Sequence, residues 1–542
     1  MSPLKLGKPL FRVTISNLIL LTAAFFTLFY NLAFFRNSYQ VYATEPGSLW
    51  FMASLCVFLF AVTVLLLCVL CIRFLTKPVL VLVIMTAASA SYFMNRYNIV
   101  IDATMLTNVV ETDAREVGDL ISPWLFVQLL FLGILPSLLV LNTQVACKSF
   151  PREVWNRVKL SGFALVLMVV SLLPFSPYYA SFFREHKILR YYSNPVTALY
   201  SGGRFLNAAV DGQGSDKIAS LGLDAHIPVD DQQRELIVLV VGEAVRSDHL
   251  GLNNYQRQTT PMLAKRDVVS FTDVYSCGTA TAYSVPCMFS LQERRNFDLD
   301  DAKHQENLLD VLRHAGVHVL WRDNNSDSKG VAHAITFEDF TSSARNPACD
   351  VECRDIGMLD GLDEFIQERP EGDIVIVMHQ MGNHGPAYYK RFPDEFAVYQ
   401  PYCQSNRLET CSQAEIVNAY DNAILYTDHF LDQVIRLLEK YDDGFETAMY
   451  YMSDHGESLG ESGLYLHGLP YLLAPDNQKH VASILWLGKN YQTNRSALAA
   501  MRDIKLSHDN YFHTVLGLME IQTAVYDSDK DIIPRGSQLS LN

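Results

Sequence analysis

Apolar residues run almost unbroken through five stretches in the first third of the chain, roughly residues 13 to 35, 49 to 72, 78 to 94, 122 to 141 and 160 to 177. A helix needs about 20 such residues to cross a bilayer, so each reads as a membrane span, the third being the shortest. The first is too long for a cleavable signal peptide, lacks a small-residue cleavage site and reads as an anchor. Beyond about residue 180 the pattern changes to short apolar runs that stop in polar or glycine-containing turns. Leu236 to Ala244, Val317 to Asn324, Asp373 to Gln380 and Thr447 to Gly456 read as strands buried on both faces. Ala414 to Tyr441 reads as a helix between them. Strands alternating with helices predict an α/β domain with a central, mostly parallel sheet.

The 542 residues thus divide into a five-helix transmembrane anchor (1–177), a join (178–232) and an α/β domain (233–542). In the join, Phe182, Phe183, Tyr191 and Tyr192 alternate with Arg184, Lys187 and Arg190, a mixture suited to a helix at headgroup level. A solvated linker is the ordinary alternative, and polar sequence around Gly212, Gly214 and Ser215 follows. Lys5, Lys8 and Arg12 precede the first span, Arg73 and Lys77 fill the second loop, and Lys148, Arg152, Arg157 and Lys159 fill the fourth. Positive loops stay cytoplasmic, so five spans place the α/β domain on the outer face. A formal net charge of −15 argues against a nucleic-acid binder, which needs a clustered positive surface.

Cysteines agree with that topology. Cys56, Cys68, Cys71 and Cys147 lie in or beside the spans, where a thiol is a small apolar side chain. Cys277, Cys287, Cys349, Cys353, Cys403 and Cys411 form close-spaced couples in polar sequence, as disulfides in an oxidising compartment do. Six cysteines allow about 15 pairings; local pairing is the expectation, and free structural thiols are the alternative.

Ligands gather at the carboxyl ends of strands in such folds, and there the chain places its candidate chemistry. The first strand ends at Glu243, the third runs through His379 to His384, the fourth ends at Asp454 and His455, and His467 follows. Carboxylate oxygen with imidazole nitrogen suits zinc. Taken singly, each is more often a surface charge, a cap or a hydrogen-bonded histidine. Thr281 precedes an apolar stretch that can start a helix, whose free amides favour a phosphate. A helix cap is its commoner role, and Thr279 competes with it.

These blocks resemble a known family. GEAVRSDH (242 to 249), CGTATAYSVPC (277 to 287), DNNSDSKG (323 to 330), CRDIGMLDGL (353 to 362), HQMGNHGP (379 to 386) and SDHGESLGESGLYLHGLPY (453 to 471) are similar to the phosphoethanolamine transferases that modify lipid A, including the mobile colistin-resistance enzymes. Their catalytic domain shares the alkaline phosphatase and sulfatase fold. The resemblance spans essentially the whole chain. It implies Thr281 as nucleophile and zinc partner, with Glu243, Asp454 and His455 as the other zinc partners. His384 and His467 would bind either a second zinc or the substrate phosphate and exchange protons. Lys329 and His379 are implied as substrate contacts, and Glu457 as a residue that orients a ligand. In the outer loop, Asn108, Thr112 and Glu116 are spaced by four and share a helical face; the resemblance implies that Glu116 meets the ethanolamine headgroup, a solvated helix being the ordinary reading.

The implied reaction is ping-pong. Thr281 takes phosphoethanolamine from phosphatidylethanolamine and a phosphate of lipid A then receives it, which lowers outer-membrane negative charge and confers polymyxin resistance. Zinc lowers the pKa of the threonine hydroxyl. One zinc is expected, with a second open. The implied setting is the bacterial inner membrane, multi-pass, with the N-terminus cytoplasmic, the catalytic domain periplasmic and the protein monomeric. Transfer to lipopolysaccharide core or another periplasmic acceptor, phosphoglycerol transfer or ester hydrolysis on the same scaffold, and a non-catalytic membrane scaffold are the competing readings.

Overall fold

The computed structural model describes residues 11–111, 118, 120–146, 148–184, 186–211 and 218–534. Lys5, Lys8, Cys147, Gly212, Gly214 and Ser215 lie outside the described residues. The chain divides into two compact units, Met1–Leu106 with Ile121–Asn207 and Thr107–Leu120 with Ala208–Asn542.

The first unit is helical. Ser48–Leu70, Thr76–Tyr97, Pro123–Asn142 and Phe150–Arg184 are each long and apolar enough to cross a membrane, and a fifth span exists if the bent pair Ile15–Phe29 and Leu32–Tyr42 counts as one. The first expected span, roughly 13 to 35, falls on this pair, which turns by 55° at its break. The break is at Asn31, whose amide donates to the Phe26 carbonyl at 3.0 Å and the Asn194 carbonyl at 2.7 Å, while Asn194 N–H returns 2.8 Å to Asn31 Oδ1. A polar side chain tied outside the ladder bends a helix that its apolar flanks would continue. Elsewhere, Phe131, Leu139, Val166 and Val170 point outward in rows fit for lipid rather than water.

The second unit is built on a seven-stranded sheet. In chain order its strands are β1 (Glu235–Gly242), β2 (Val268–Phe271), β3 (His318–Asp323), β4 (Thr336–Asp339), β5 (Ile374–His379), β6 (Glu446–Ser453) and β7 (Ser483–Leu487). They lie in the order β2-β7-β6-β1-β5-β3-β4. The five strands from β6 to β4 are parallel, and β7 runs antiparallel to β6 and β2. Every residue of β1, β5 and β6 is buried, which is why β1 and β5 read as continuous Val, Ile and Leu runs and β6 as a run of Ala, Met and Tyr. Each such side chain contributes about 1.5–3 kcal/mol on burial. The helix Gln413–Glu439 covers the sheet, started by a capping box in which Ser412 and Glu415 satisfy each other's amides.

Register sets the functional rim. Gly242 pairs with Ser453, Val241 with His379, and Asp323 with His379. The residues that follow, Glu243, Asp454 and His455, Gln380, and Asn324 and Asn325, therefore emerge at one end of the sheet. The three outer couples are disulfides, Cys277–Cys287, Cys349–Cys353 and Cys403–Cys411, as local pairing predicts.

Candidate metal centre and nucleophile

The candidate nucleophile sits where a helix begins. Ala280 is the N-cap of Thr281–Met288, and no side chain caps the turn. Thr281 is therefore not the cap residue that its type favours at such a place. Tyr283 and Ser284 amides bond to the Ala280 carbonyl, which leaves the Thr281 and Ala282 amides at the open end, where an anion is stabilised. Thr279 is engaged elsewhere. Its hydroxyl donates to the Leu469 carbonyl at 2.6 Å, and its own carbonyl accepts from Gly468 at 2.7 Å. It thereby ties the nucleophile segment to the loop of His467.

Thr281 Oγ1 lies 3.1 Å from Glu243 Oε2 and 3.2 Å from His455 Nε2. Donor atoms of Glu243, Asp454 and His455 all fall within 4.8 Å of one another, and all three residues are buried. The hydrogen bonds test whether these residues fit a cation. His455 Nδ1 donates to the Gly456 carbonyl at 2.9 Å, so Nε2 presents a lone pair. That lone pair stands 3.3 Å from Glu243 Oε1 and 3.3 Å from Asp454 Oδ2. Asp454 Oδ1 accepts from the Ala244 and His455 amides at 3.1 and 2.7 Å, whereas Oδ2 has no hydrogen-bond partner among the described residues. Two buried carboxylates facing an imidazole lone pair repel unless a cation joins them. An imidazole whose far nitrogen donates to a carbonyl is the usual form of a metal ligand. Burial lowers the His455 pKa below its ordinary value and keeps the ring neutral.

A second group adjoins the first. His455, Glu457 and His467 also bring ligand atoms within 4.8 Å, and the His455 and His467 rings are 4.1 Å apart. Glu457 is fully buried; it accepts from Tyr388 Oη at 2.5 Å and His467 Nδ1 at 2.8 Å, and so fixes which His467 nitrogen remains for chemistry. The His384 ring lies 5.4 Å from that of His467. Burial, then the neighbouring His467, holds the His384 pKa well below its usual value. Gly385 is required by this packing. A Cβ there would stand 2.6 Å from Tyr388 Oη and 2.7 Å from Glu457 Oε1. Gly385→Ala is expected to cost about 1–3 kcal/mol, read as a lower melting temperature of the full chain, together with reduced activity as Glu457 is displaced from His467.

The other expected residues fall differently. His379 is fully buried, with Nδ1 at 2.9 Å from Asp323 Oδ2 and its ring edge-on to Trp321, and it belongs to neither ligand group. Lys329 adopts a left-handed φ of 54° and donates to the Ser326 carbonyl at 2.5 Å. Thr112 and Glu116 lie outside the described residues, as does the side chain of Asn108.

Three residues without an expected role hold the site. Asn325 donates to Glu243 Oε2 at 2.9 Å and to the Gln380 carbonyl at 2.7 Å, so it aims the carboxylate. Asp355 binds both the β3 and β5 rims. His508 accepts from the Cys277 amide at 3.1 Å and donates to the Ser453 carbonyl at 3.0 Å, which joins the nucleophile segment to the end of β6. Burial pushes the His508 pKa down to about 4, so it stays in the neutral form that can both accept and donate. Asn325 lies inside DNNSDSKG and Asp355 inside CRDIGMLDGL, but no spacing rule singles them out.

Known proteins are similar to this chain in sequence and fold. A family model described as Sulfatase matches residues 235–521, and one described as Phosphoethanolamine transferase EptA/EptB matches residues 59–210. The chain is 42% identical over 526 residues to Phosphatidylethanolamine transferase Mcr-1 of Escherichia coli, covering 94% of this chain and 96% of the relative. It is 36% identical over 533 residues to Phosphoethanolamine transferase EptA of Escherichia coli (strain K12), covering 95% and 96%. Among solved structures, the integral membrane lipooligosaccharide phosphoethanolamine transferase A from Neisseria meningitidis superposes with a TM-score of 0.91 at 35% identity, covering 96% of this chain and 99% of that one. Its soluble domain alone gives a TM-score of 0.57 at 41% identity over 59% of this chain and 99% of that one.

Proposed function

The chain belongs to the EptA/EptB family of phosphoethanolamine transferases, and from that premise we propose that it moves phosphoethanolamine from phosphatidylethanolamine to a phosphate of lipid A by way of Thr281. The observation that carries the mechanism is the Thr281 hydroxyl 3.1 Å from Glu243 and 3.2 Å from His455, inside a buried set of metal-ligand atoms. Glu243, Asp454, His455 and Thr281 would hold zinc, which supplies a positive charge that lowers the threonine pKa and stabilises charge on the phosphoryl group.

In the first half-reaction Thr281 Oγ1 forms a bond to phosphorus while the bond from phosphorus to the diacylglycerol oxygen breaks. The Thr281 proton passes to a neighbouring base, and the diacylglycerol oxygen receives a proton from His467, which regains one from solvent before the next turnover, while His384, kept neutral by burial, contacts the phosphate. The Thr281 and Ala282 amides face the phosphoryl oxygens. In the second half-reaction an oxygen of a lipid A phosphate attacks the same phosphorus, the bond to Thr281 breaks, and the threonine regains its proton. Glu457 keeps His467 in one tautomer throughout. The product carries an added ammonium group, which lowers the negative charge of the outer membrane and weakens binding of cationic polymyxins.

The same reading assigns an anchor through residue 177, a join through 232 and a periplasmic catalytic domain from 233, with the N-terminus cytoplasmic. Asn108, Thr112 and Glu116 are assigned to donor binding, and Lys329 and His379 to contacts with phosphate or the acceptor. The test is intact-mass analysis of the purified full chain after incubation with phosphatidylethanolamine alone. Expected is one phosphoethanolamine adduct on Thr281, absent after chelation and restored by zinc. Diacylglycerol release without any adduct would place the chain among simple hydrolases.

A further inference from the structure

Most arginines of the catalytic unit are committed to carboxylates: Arg246 to Asp248 and Glu461, Arg257 to Asp421, Arg266 to Asp432, Arg322 to Glu338, Arg354 to Asp350 and Arg391 to Glu352. In a chain of net charge −15 that is expected. Arg294 and Lys505 depart from it. The Arg294 guanidinium stacks over the Tyr471 ring at 4.1 Å, and the Lys505 ammonium lies over the Tyr275 ring at 4.7 Å. Neither cationic head makes a hydrogen bond or ion pair among the described residues. Both line one open cavity of about 290 Å3. Its acid, Asp509, has one oxygen engaged by the Arg294 backbone amide at 2.8 Å.

The cavity also borders the chemistry. Cys277, at the base of the nucleophile segment, and Tyr471, on the loop of His467, both line it. These two walls are joined by the hydrogen bonds of Thr279 to Gly468 and Leu469. Cys277 is four residues from Thr281 in sequence, which bounds their separation at about 14 Å. A guanidinium fixed on an aromatic face, with its planar donors unused, is arranged for bidentate contact with a phosphate.

We infer that the Arg294 and Lys505 cavity is a subsite for a phosphate of the acceptor other than the one being modified. The inference rests on the transfer reading and adds a preference for a sugar that carries two phosphates. The recognition is a phosphomonoester held by a guanidinium and an ammonium that are seated on two tyrosine rings, with no covalent step.

The experiment compares lipid A with two phosphates and lipid A with one, using the detergent-solubilised full chain and phosphatidylethanolamine as donor. The parent is expected to show a KM about tenfold lower for the diphosphorylated acceptor, a difference of about 1.4 kcal/mol. In Arg294→Ala/Lys505→Ala the two KM values should converge, while formation of the Thr281 adduct from donor alone keeps its rate. Arg294→Lys should recover part of the preference, which a folding defect would not do. A parent without the preference, or a double variant that retains it, overturns the inference. Absence of the adduct in the parent would instead overturn the transfer reading on which it rests.

Discussion

Thr281→Ala is expected to abolish transfer, with a fall on the order of 10^4-fold or more, the scale at which loss of a covalent nucleophile registers. The protein should fold as before. Thr281 occupies the first helical position behind Ala280 and caps nothing, and alanine is the best helix former, so the melting temperature should hardly move. Thr281→Ser keeps the hydroxyl and loses only a methyl group that fixes its rotamer; its transfer rate should stay within about tenfold of the parent. Three readouts separate the outcomes: the adduct by intact mass, lipid A mass in cells, and polymyxin sensitivity. Modified lipid A from cells carrying Thr281→Ala would remove the nucleophile from the proposed mechanism. Parental adduct formation with unmodified lipid A would instead move the acceptor elsewhere.

Much of the catalytic fold is legible because its central strands are buried on both faces. β1, β3, β5 and β6 announce themselves as apolar runs ending in polar turns, and each boundary lies within a few residues of the observed strand. β2 and β7, Val-Val-Ser-Phe and Ser-Ile-Leu-Trp-Leu, carry the same apolar signal in shorter runs that the reading passes over, whereas β4 lacks it. β4 is Thr-Phe-Glu-Asp, largely exposed and held by pairing with β3 alone, so nothing in its composition marks a strand. The bend in the first membrane helix is hidden for the converse reason: one asparagine inside an apolar run gives no sign that it bonds to Asn194, 163 residues away. The metal-ligand residues are readable because strand ends converge and because the blocks resemble a family. Their supports are not. Asn325 reaches Glu243 across 82 residues and His508 reaches Cys277 across 231. Such links arise only when the sheet has brought the rims together.

Asp355→Ala is the second large effect expected, and it acts through that rim. Asp355 is buried, and its carboxylate accepts four hydrogen bonds: Asn324 Nδ2 at 2.8 Å, the Met381 amide at 2.9 Å, the Gly382 amide at 3.1 Å and Gln380 Nε2 at 3.2 Å. It thus fastens the end of β3 to the loop after β5. That loop returns to the site, since the Asn383 amide donates to the Glu243 carbonyl at 3.0 Å and His384 follows it. Gly382, at φ +47°, packs so closely on Glu243 that a Cβ would lie 3.0 Å from its carbonyl. Alanine at 355 leaves three buried donors without an acceptor, each at a cost of about 1–3 kcal/mol, and leaves Asn324 Nδ2 with the Cys353 carbonyl alone. Local repacking and water make these costs less than additive, so a net loss of roughly 3–5 kcal/mol is expected. Asp355→Asn keeps the shape but turns an amide donor toward two of the four donors, and should fall between parent and alanine. Denaturant unfolding of the full chain measures the stability, and adduct formation from phosphatidylethanolamine measures the site. Both should decline together, because the carboxylate that fastens the rim also sets the position of Glu243 and His384. A variant that melts well below the parent yet loads Thr281 at the parental rate would break that coupling, and would mean that the ligand set is held by β1 and β6 without help from β5.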